Sequence, residues 1–374
     1  MVIKRVIQDR IEKDLFKGRV IVIYGPRRSG KTTLIRQLQK KYNDSSYFNC
    51  DEPEVKKALE NKGSKELKEY VGDKKLVFID EAQRVENIGL SLKLLVDNYP
   101  ETQIVATGSS AFELSNKISE PLTGRKWEFF LYPFSLTELL SEFSKSKIES
   151  EIERRIIFGN YPEVVLKGNS AERLFEITKS YLYKDIFEHQ EIKNPEVLEK
   201  LLSALALQIG SEVSYNELAN LVGVDKNTVQ RYIQLLEKAF VIFRVRSFSR
   251  NKRKEIGKLR KIYFYDLGVR NALIRNFNQL NLRNDVGALW ENFVISERVK
   301  FLSNVSKDVG KYFWRTYRQE EIDWLEEEGG IINGYEIKWK RDKLKVPKQF
   351  RKLYPEIAVK LINKDNFIDF VSGK

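Results

Sequence analysis

Lys31 and Thr32 close the run Gly25-Pro26-Arg27-Arg28-Ser29-Gly30-Lys31-Thr32, which has the spacing G-x-x-x-x-G-K-[ST]. The chemistry served by that spacing is phosphate binding. Gly25 and Gly30 lack Cβ atoms, so the loop's backbone N–H groups can turn toward a phosphate chain. The start of the helix that follows adds partial positive charge. Lys31 would face the β- and γ-phosphates, and the Thr32 hydroxyl would help hold Mg²⁺. Pro26, Arg27, Arg28 and Ser29 make up the loop between the glycines, and Thr33 follows it, so residues 25–33 are the expected contact for ATP.

Asp80 and Glu81 end a second apolar run, 75–81. Asp80 would hold Mg²⁺ through water, and Glu81 would polarise the water that attacks the γ-phosphate. A glutamate at this point favours hydrolysis of ATP over transfer to a small acceptor, which weighs against a P-loop kinase. A third run, 103–107, leads into Gly108-Ser109-Ser110. Ser109 is the expected γ-phosphate sensor, lying between the other two motifs. In AAA+ ATPases an arginine finger sits between the sensor strand and the last core strand. Arg125, in Leu122-Thr123-Gly124-Arg125, occupies that place here. Acting on a neighbouring subunit's nucleotide, it would require a homo-oligomer.

A second constellation lies near the end of the chain. Glu336 and Lys338 are two apart in an apolar run, so on a strand both leave one face. Asp323 stands on the preceding strand and can meet them. Glu291, on the helix before, could add another carboxylate. Two or three carboxylates and a lysine suit one divalent metal, with the lysine serving the attacking water. Helix-Glu, strand-Asp, strand-Glu-x-Lys is the arrangement of PD-(D/E)xK nucleases, although Ile322 stands where the motif's proline would be. The other reading is a surface ion pair on a domain kept only for binding.

These residues need elements to position them. Residues 19–24 form a β-branched apolar run, and Leu34, Ile35, Leu38 and Tyr42 keep helical spacing after the glycine loop. The alternation of strand and helix over 1–141 implies an α/β core with a parallel sheet. Residues 142–193 read as a helical lid, broken at Gly159-Asn160-Tyr161-Pro162, with Arg154 and Arg155 both candidates for a lid sensor. From 194 to 265 the order is helix, capped short helix, turn, helix and two strands, which reads as a winged helix-turn-helix. Its solvent-facing candidates for nucleic-acid contact are Lys226, Asn227, Gln230 and Arg231, with Arg250, Lys252, Arg253 and Lys254 at the wing tip. Residues 266–374 carry the nuclease-like α/β pattern, beginning with an amphipathic helix from Val286.

The 374-residue chain carries a net charge of +13, which favours a polyanion as partner, nucleic acid and DNA in particular. The cations are clustered. Nine lie between Arg244 and Lys261, opposed only by Glu255, and a second group runs from Lys338 to Lys352. Cys50 is the single cysteine and His189 the single histidine, which excludes an internal disulfide and cysteine- or histidine-rich metal sites. With no run of eighteen apolar residues and no uninterrupted apolar leader, a cytoplasmic protein away from membranes is expected. Abundant lysine, glutamate and isoleucine with one methionine point toward a thermophile.

Taken together the chain resembles a family of archaeal and bacterial AAA-type ATPases with a C-terminal domain related to restriction endonucleases. The resemblance rests on residues 25–32, Phe78-Ile79-Asp80-Glu81-Ala82-Gln83, Thr107-Gly108-Ser109-Ser110 and Gly124-Arg125. It extends to Gly159-Asn160-Tyr161-Pro162-Glu163-Val164, Tyr263-Phe264-Tyr265-Asp266-Leu267-Gly268, Trp290-Glu291-Asn292-Phe293-Val294, Glu321-Ile322-Asp323 and Glu336-Ile337-Lys338. It implies an ATPase core, a winged helix and a nuclease-like tail. The expected activity is ATP hydrolysis acting on, or switched by, nucleic acid. The rival is a nucleotide switch whose inactive nuclease-like domain mediates protein interactions.

Overall fold

The computed structural model describes residues 2–108, 117, 118, 120–168, 170–181, 192, 194–249, 260–340 and 343–373. They form two compact units. One is Val2–Pro133 with Lys238–Phe240, and the other is Phe134–Glu237 with Val241–Lys374.

The first unit is built on five strands: β1 Val20–Tyr24, β2 Ser45–Asn49, β3 Leu76–Asp80, β4 Gln103–Gly108 and β5 Lys126–Phe130. All pair in parallel, in the order β2-β3-β4-β1-β5. β1, β3 and β4 are buried along their whole length, the near-continuous apolar runs Val20–Tyr24, Leu76–Ile79 and Ile104–Ala106 being what strands covered on both faces require. Ile7 and Ile11 of the Val6–Asp14 helix and Leu34 and Leu38 of the Lys31–Lys41 helix share one core with Ile21, Ile23, Phe78 and Val105. The helix after the glycine loop begins at Lys31. Gly30 precedes it at φ 100°, a conformation that costs glycine little. Because β4 lies between β1 and β3, the carboxyl ends of all three strands meet at one edge. Such an edge is where open α/β sheets bind ligands.

The second unit is built on seven strands: β6 Glu212–Val213, β7 Ile242–Ser247, β8 Arg260–Phe264, β9 Gly310–Arg315, β10 Glu321–Glu328, β11 Ile331–Ile337 and β12 Ala358–Ile362. They form one sheet in the order β12-β11-β10-β9-β7-β8-β6. The boundary expected at 265/266 therefore cuts a continuous sheet. β7 pairs in parallel with β9 through Arg246 and Tyr312, and Ser247 and Phe313. Phe248 N then donates to Phe313 O at 2.6 Å, and the Phe248 ring enters the core of Trp314, Ile322, Leu325 and Phe350. Residues 134–141, expected with the ATPase core, pack into this second unit as well.

Helices Pro195–Leu207, Tyr215–Val222 and Lys226–Lys238 precede β7. Asn194 Oδ1 accepts from Glu196 N at 3.1 Å, Ser214 Oγ from Glu217 N at 3.4 Å, and Asp225 Oδ1 from Asn227 N at 2.8 Å. Those three caps set where the helices start.

The Val286–Asn304 helix corrects an expectation. It is buried on nearly every side, polar Asn292, Glu297, Lys300 and Asn304 included, so it is a central helix and not an amphipathic surface one. Glu297 binds Lys300 Nζ at 2.8 Å and accepts from Asn160 Nδ2 at 3.2 Å and Leu136 N at 2.6 Å. Asp266, its carboxyl pushed up by burial, accepts from Asn160 N at 2.7 Å. A Cβ at Gly159, which has φ 68°, would stand 2.0 Å from Asp266 Oδ1, so that position excludes any side chain. The motif residues Gly159, Asn160 and Asp266 thus fasten the short helices to the central one. Arg155 belongs to the same fabric, buried against Glu151 at 2.7 Å and Asn160 at 3.2 Å, and Arg154 reaches Ser170 Oγ at 3.0 Å. Among the described residues no helix is long and apolar enough to cross a membrane.

Candidate functional site

The carboxyl ends of β1, β3 and β4 bring the phosphate-binding residues together. Lys31, buried, folds its Nζ onto the carbonyls of Gly25 at 2.8 Å and Pro26 at 3.2 Å. Thr32 Oγ1 donates to Asp80 Oδ2 at 2.8 Å, so the hydroxyl and the carboxylate expected to share Mg²⁺ already touch. The Gly25 backbone runs so close to β5 that a Cβ there would lie 2.2 Å from Leu131 O. Ser29 Oγ is buried within the loop with no hydrogen-bond partner among the described residues, an orphaned polar atom of the kind an anion would satisfy. A cradle of this shape, with a lysine, a hydroxyl and a carboxylate around it, fits a nucleotide triphosphate with Mg²⁺. Arg27 is half-buried, and Arg28 and Thr33 are exposed.

Glu81 follows Asp80 in the left-handed region at φ 54°, an uncommon conformation for glutamate that turns it out of the strand. Gln83 Nε2 holds its carboxylate at 2.5 Å. The expected sensor Ser109 lies outside the described residues. Thr107, two residues earlier, donates its hydroxyl to Asp80 Oδ1 and accepts from Glu81 N at 3.2 Å. Tyr47 OH also donates to Asp80 Oδ2, at 2.9 Å. Burial and then the Asp80 charge raise the Tyr47 hydroxyl well above its ordinary range, and push the Cys50 thiol up to about 12.

Sequence reasoning missed four residues here: Thr107, Tyr47, Gln83 and Arg5. Arg5 is 4% exposed and donates to Ser29 O at 2.7 Å and Tyr132 O at 2.6 Å, bracing the glycine loop from behind. Gln83 and Thr107 each had one signal, a place in the 78–83 and 107–110 motifs; Tyr47 and Arg5 had none. Arg125 stands at the other end of the sheet. Its carbonyl accepts from Val20 N, at the start of β1, while the glycine loop follows the end of that strand. Its guanidinium is held by Asp97 at 2.6 Å.

The second constellation also converges. β10 and β11 run antiparallel with Trp324 beside Tyr335, which sets Asp323 next to Glu336. An irregularity between Ile322 and Leu325 adds one residue to β10 relative to β9, so Ile322 and Leu325 enter the same core. Asp323, between them, turns toward Glu291 of the central helix. Carboxylate oxygens of Glu291, Glu321 and Asp323 lie within 4.8 Å of one another. Lys338 Nζ is 3.1 Å from Glu336 Oε2 and 3.4 Å from Asp323 Oδ2. Asp323 Oδ2 also accepts from Ile337 N at 2.7 Å.

Burial and then the Asp323 charge raise the Glu336 carboxyl to about 7, and its Oε1 is buried without a hydrogen-bond partner among the described residues. Lys338 is held above its ordinary range by Asp323 and Glu336 against the opposing effect of burial, so it acts as a cation and not as a base. All-oxygen donors with an unsatisfied carboxylate oxygen suit Mg²⁺ or Mn²⁺.

Three further residues of this centre were not foreseen: Glu321, Lys261 and Tyr263. Lys261 ends the cluster of nine cations that begins at Arg244. It is in fact 1% exposed, with Nζ 2.9 Å from Glu291 Oε1 and ion-paired to Glu321. Tyr263 OH donates to Glu291 Oε1 at 2.6 Å. Arg244, from the same run, turns inward to Glu237 and to Tyr215 OH at 2.9 Å. Lys226, Asn227, Gln230 and Arg231 are all exposed along one side of the Lys226–Lys238 helix, whose Val229, Ile233 and Leu236 are buried. Arg250, Lys252, Arg253 and Lys254 lie outside the described residues.

Comparison with known proteins divides the chain in three. Residues 17–140 match the family described as AAA domain, residues 149–280 a domain of unknown function (DUF8612), and residues 286–369 another (DUF4143). An uncharacterised protein of Haemophilus influenzae is 30% identical over 329 residues, covering 81% of this chain and 78% of its own length. One from Methanocaldococcus jannaschii is 29% identical, covering 86% of this chain and 75% of its own length. A solved Walker-type ATPase of Pyrococcus abyssi is 16% identical and covers 73% of this chain and 96% of its own, at a TM-score of 0.47. With the loop, the Thr32–Asp80 pair and Glu81 at one edge of a parallel sheet, and a relative of this coverage and identity, the chain belongs to a family of AAA-type ATPases.

Proposed function

We propose that this protein hydrolyses ATP and acts on nucleic acid, and that its second unit carries a divalent-metal centre of the nuclease type. The observation that carries the first part is the contact of Thr32 with Asp80, with Glu81 turned out beside it and held by Gln83. When bound, Mg²⁺ neutralises phosphate charge. Lys31 and the loop N–H groups position the phosphates, and Glu81 accepts the proton of the attacking water. Thr107 links Asp80 to the Glu81 backbone and so couples the metal-binding and water-activating carboxylates, beside Ser109 as the γ-phosphate sensor. Arg125 lies too far along its own strands to serve its own loop. A five-residue strand spans about 16 Å. It serves a second copy of the chain after leaving Asp97.

The three helices before β7, with β7 and β8, are read as a winged helix that holds DNA through Lys226, Asn227, Gln230 and Arg231. Support comes from the exposure of that face and from the exposed Lys340, Lys343, Lys345, Lys348, Arg351 and Lys352 that follow Lys338 in sequence. In the carboxylate centre Asp323, Glu336 and Glu291 are the candidate ligands, and Lys338 orients water or meets charge on a phosphate. The competing reading, a nucleotide switch with an inactive tail, is favoured by one observation, the lysine Lys261 lodged among those carboxylates.

The test is ATP turnover with and without DNA, together with incubation of supercoiled, linear and branched DNA with ATP and Mg²⁺ or Mn²⁺. Turnover stimulated by DNA, and cleavage abolished by Asp323→Ala, are expected. Turnover indifferent to DNA and the absence of any cleavage would favour the switch.

A further inference from the structure

Lys261 has no counterpart in the Glu, Asp, Glu-x-Lys pattern. It leaves β8 near its start and reaches in among Glu291, Glu321 and Asp323, the three carboxylates whose oxygens approach within 4.8 Å. Its Nζ also lies 5.6 Å from the centre of the Phe313 ring, and only 1% of the residue is exposed. A lysine so placed has no water to move into, and its withdrawal would strand two carboxylates in the interior. Lys338, the lysine of the Glu-x-Lys pair, has a side chain that is 45% exposed. It can swing into solvent and give up its place between Asp323 and Glu336 at little cost.

Charge points the same way. Glu212, Glu291, Glu321, Asp323 and Glu336 face Lys261, Arg315 and Lys338, with Arg315 3.5 Å from Glu321 and 3.8 Å from Glu212. With all five carboxylates ionised, as a bound cation would require, three cations leave an excess of two negative charges, which one divalent ion cancels.

We propose that this centre takes a single divalent ion, at Asp323 and Glu336, because Lys261 is a resident cation that fills the second position among Glu291, Glu321 and Asp323. The proposal rests on reading the centre as a metal site. Two-metal sites clamp the attacking and leaving oxygens with an ion each. An ammonium supplies charge at the second position but no open coordination place for water. The single ion and Lys338 must therefore serve the attacking water, while Lys261 contributes a fixed field. Tyr263, donating to Glu291, keeps that carboxylate turned toward Lys261.

The experiment counts bound Mn²⁺ by electron paramagnetic resonance. It uses the nucleotide-free full chain carrying Asp80→Asn, which removes the nucleotide-side ion position. One Mn²⁺ per chain is expected. Adding Lys261→Met, close in length and uncharged, should admit a second ion and give the spin-coupled signal of a pair. Glu321→Gln, which keeps Lys261 and touches only the second position, should leave the first ion's affinity within about twofold. Glu321→Gln decides the matter if the Lys261→Met protein does not fold, since an ion that displaced Lys261 would use Glu321 and lose tenfold or more. Two ions in the presence of Lys261, one ion after Lys261→Met, or that tenfold loss would overturn the resident-cation proposal and leave the metal centre standing. No Mn²⁺ in any variant, with thermal unfolding equally indifferent to Mn²⁺ before and after Asp323→Ala, would overturn both.

Discussion

Replacing Arg5 by methionine should loosen the nucleotide site without touching any residue that meets the nucleotide. Arg5 is 4% exposed and makes two short bonds, to Ser29 O in the glycine loop and to Tyr132 O just after β5. A hydrogen bond from a charged donor is worth about 1.5–3 kcal/mol net, and its loss leaves a buried carbonyl unpaired. The lower value for each bond gives about 3 kcal/mol. For a unit of this size that is a fall in Tm of about 9 °C. Ser29 O belongs to the loop that must stay ordered to receive phosphates. A share of about 1.4 kcal/mol spent on reordering it would raise the Kd for ATP tenfold. Arg5→Lys, whose single ammonium cannot span both carbonyls, should fall between. The assay is thermal unfolding paired with titration of a fluorescent ATP analogue. An Arg5→Met protein with Tm within a degree of the parent and unchanged affinity would refute the bracing role.

Lys31→Ala should abolish tight ATP binding, while Glu81→Gln should bind ATP normally and lose at least about 100-fold in turnover, measured as phosphate release. Lys226→Ser with Arg231→Ser should weaken DNA binding and reduce the slope of log K against log salt by about 1.8, one phosphate contact each; an unchanged slope would assign the helix face to another role. Glu336 has a folded carboxyl near 7 against an ordinary value of 4.5, so between those values the folded state holds a proton that the unfolded chain has released. Stability of the metal-free protein should therefore fall as pH rises from about 4.5 to about 7, and denaturant titrations of Glu336→Gln should lose that slope. Cys50, its thiol pushed to about 12 by burial and Asp80, should resist alkylation at pH 8 until the first unit unfolds; rapid labelling of the native protein would contradict its placement.

The nucleotide motifs were legible because their chemistry is local. Gly25, Gly30, Lys31 and Thr32 sit within one loop, and Asp80 and Glu81 follow four apolar residues in a row, Leu76 to Ile79, which announce a strand. What holds those motifs in place is not local. Arg5, Tyr47 and Thr107 reach the loop or Asp80 from elements far away in sequence, and nothing in the neighbours of Arg5 and Tyr47 marks them. In the second unit the alternation of strands put Asp323, Glu336 and Lys338 together in advance, since strand period alone fixes which side chains can share a face. Lys261 and Arg244 could not be told from the other cations of their run, because a cation in a basic run looks the same whether it faces water or buried carboxylates. Only the pairing of β7 with β9 settled the matter. It fuses β7 and β8 to the C-terminal strands and brings Lys261 and Tyr263 of β8 to Glu291 and Glu321. The sequence by itself determined the groups that can do chemistry. The tertiary structure decided which charges are buried, since burial depends on partners that the chain brings together only on folding.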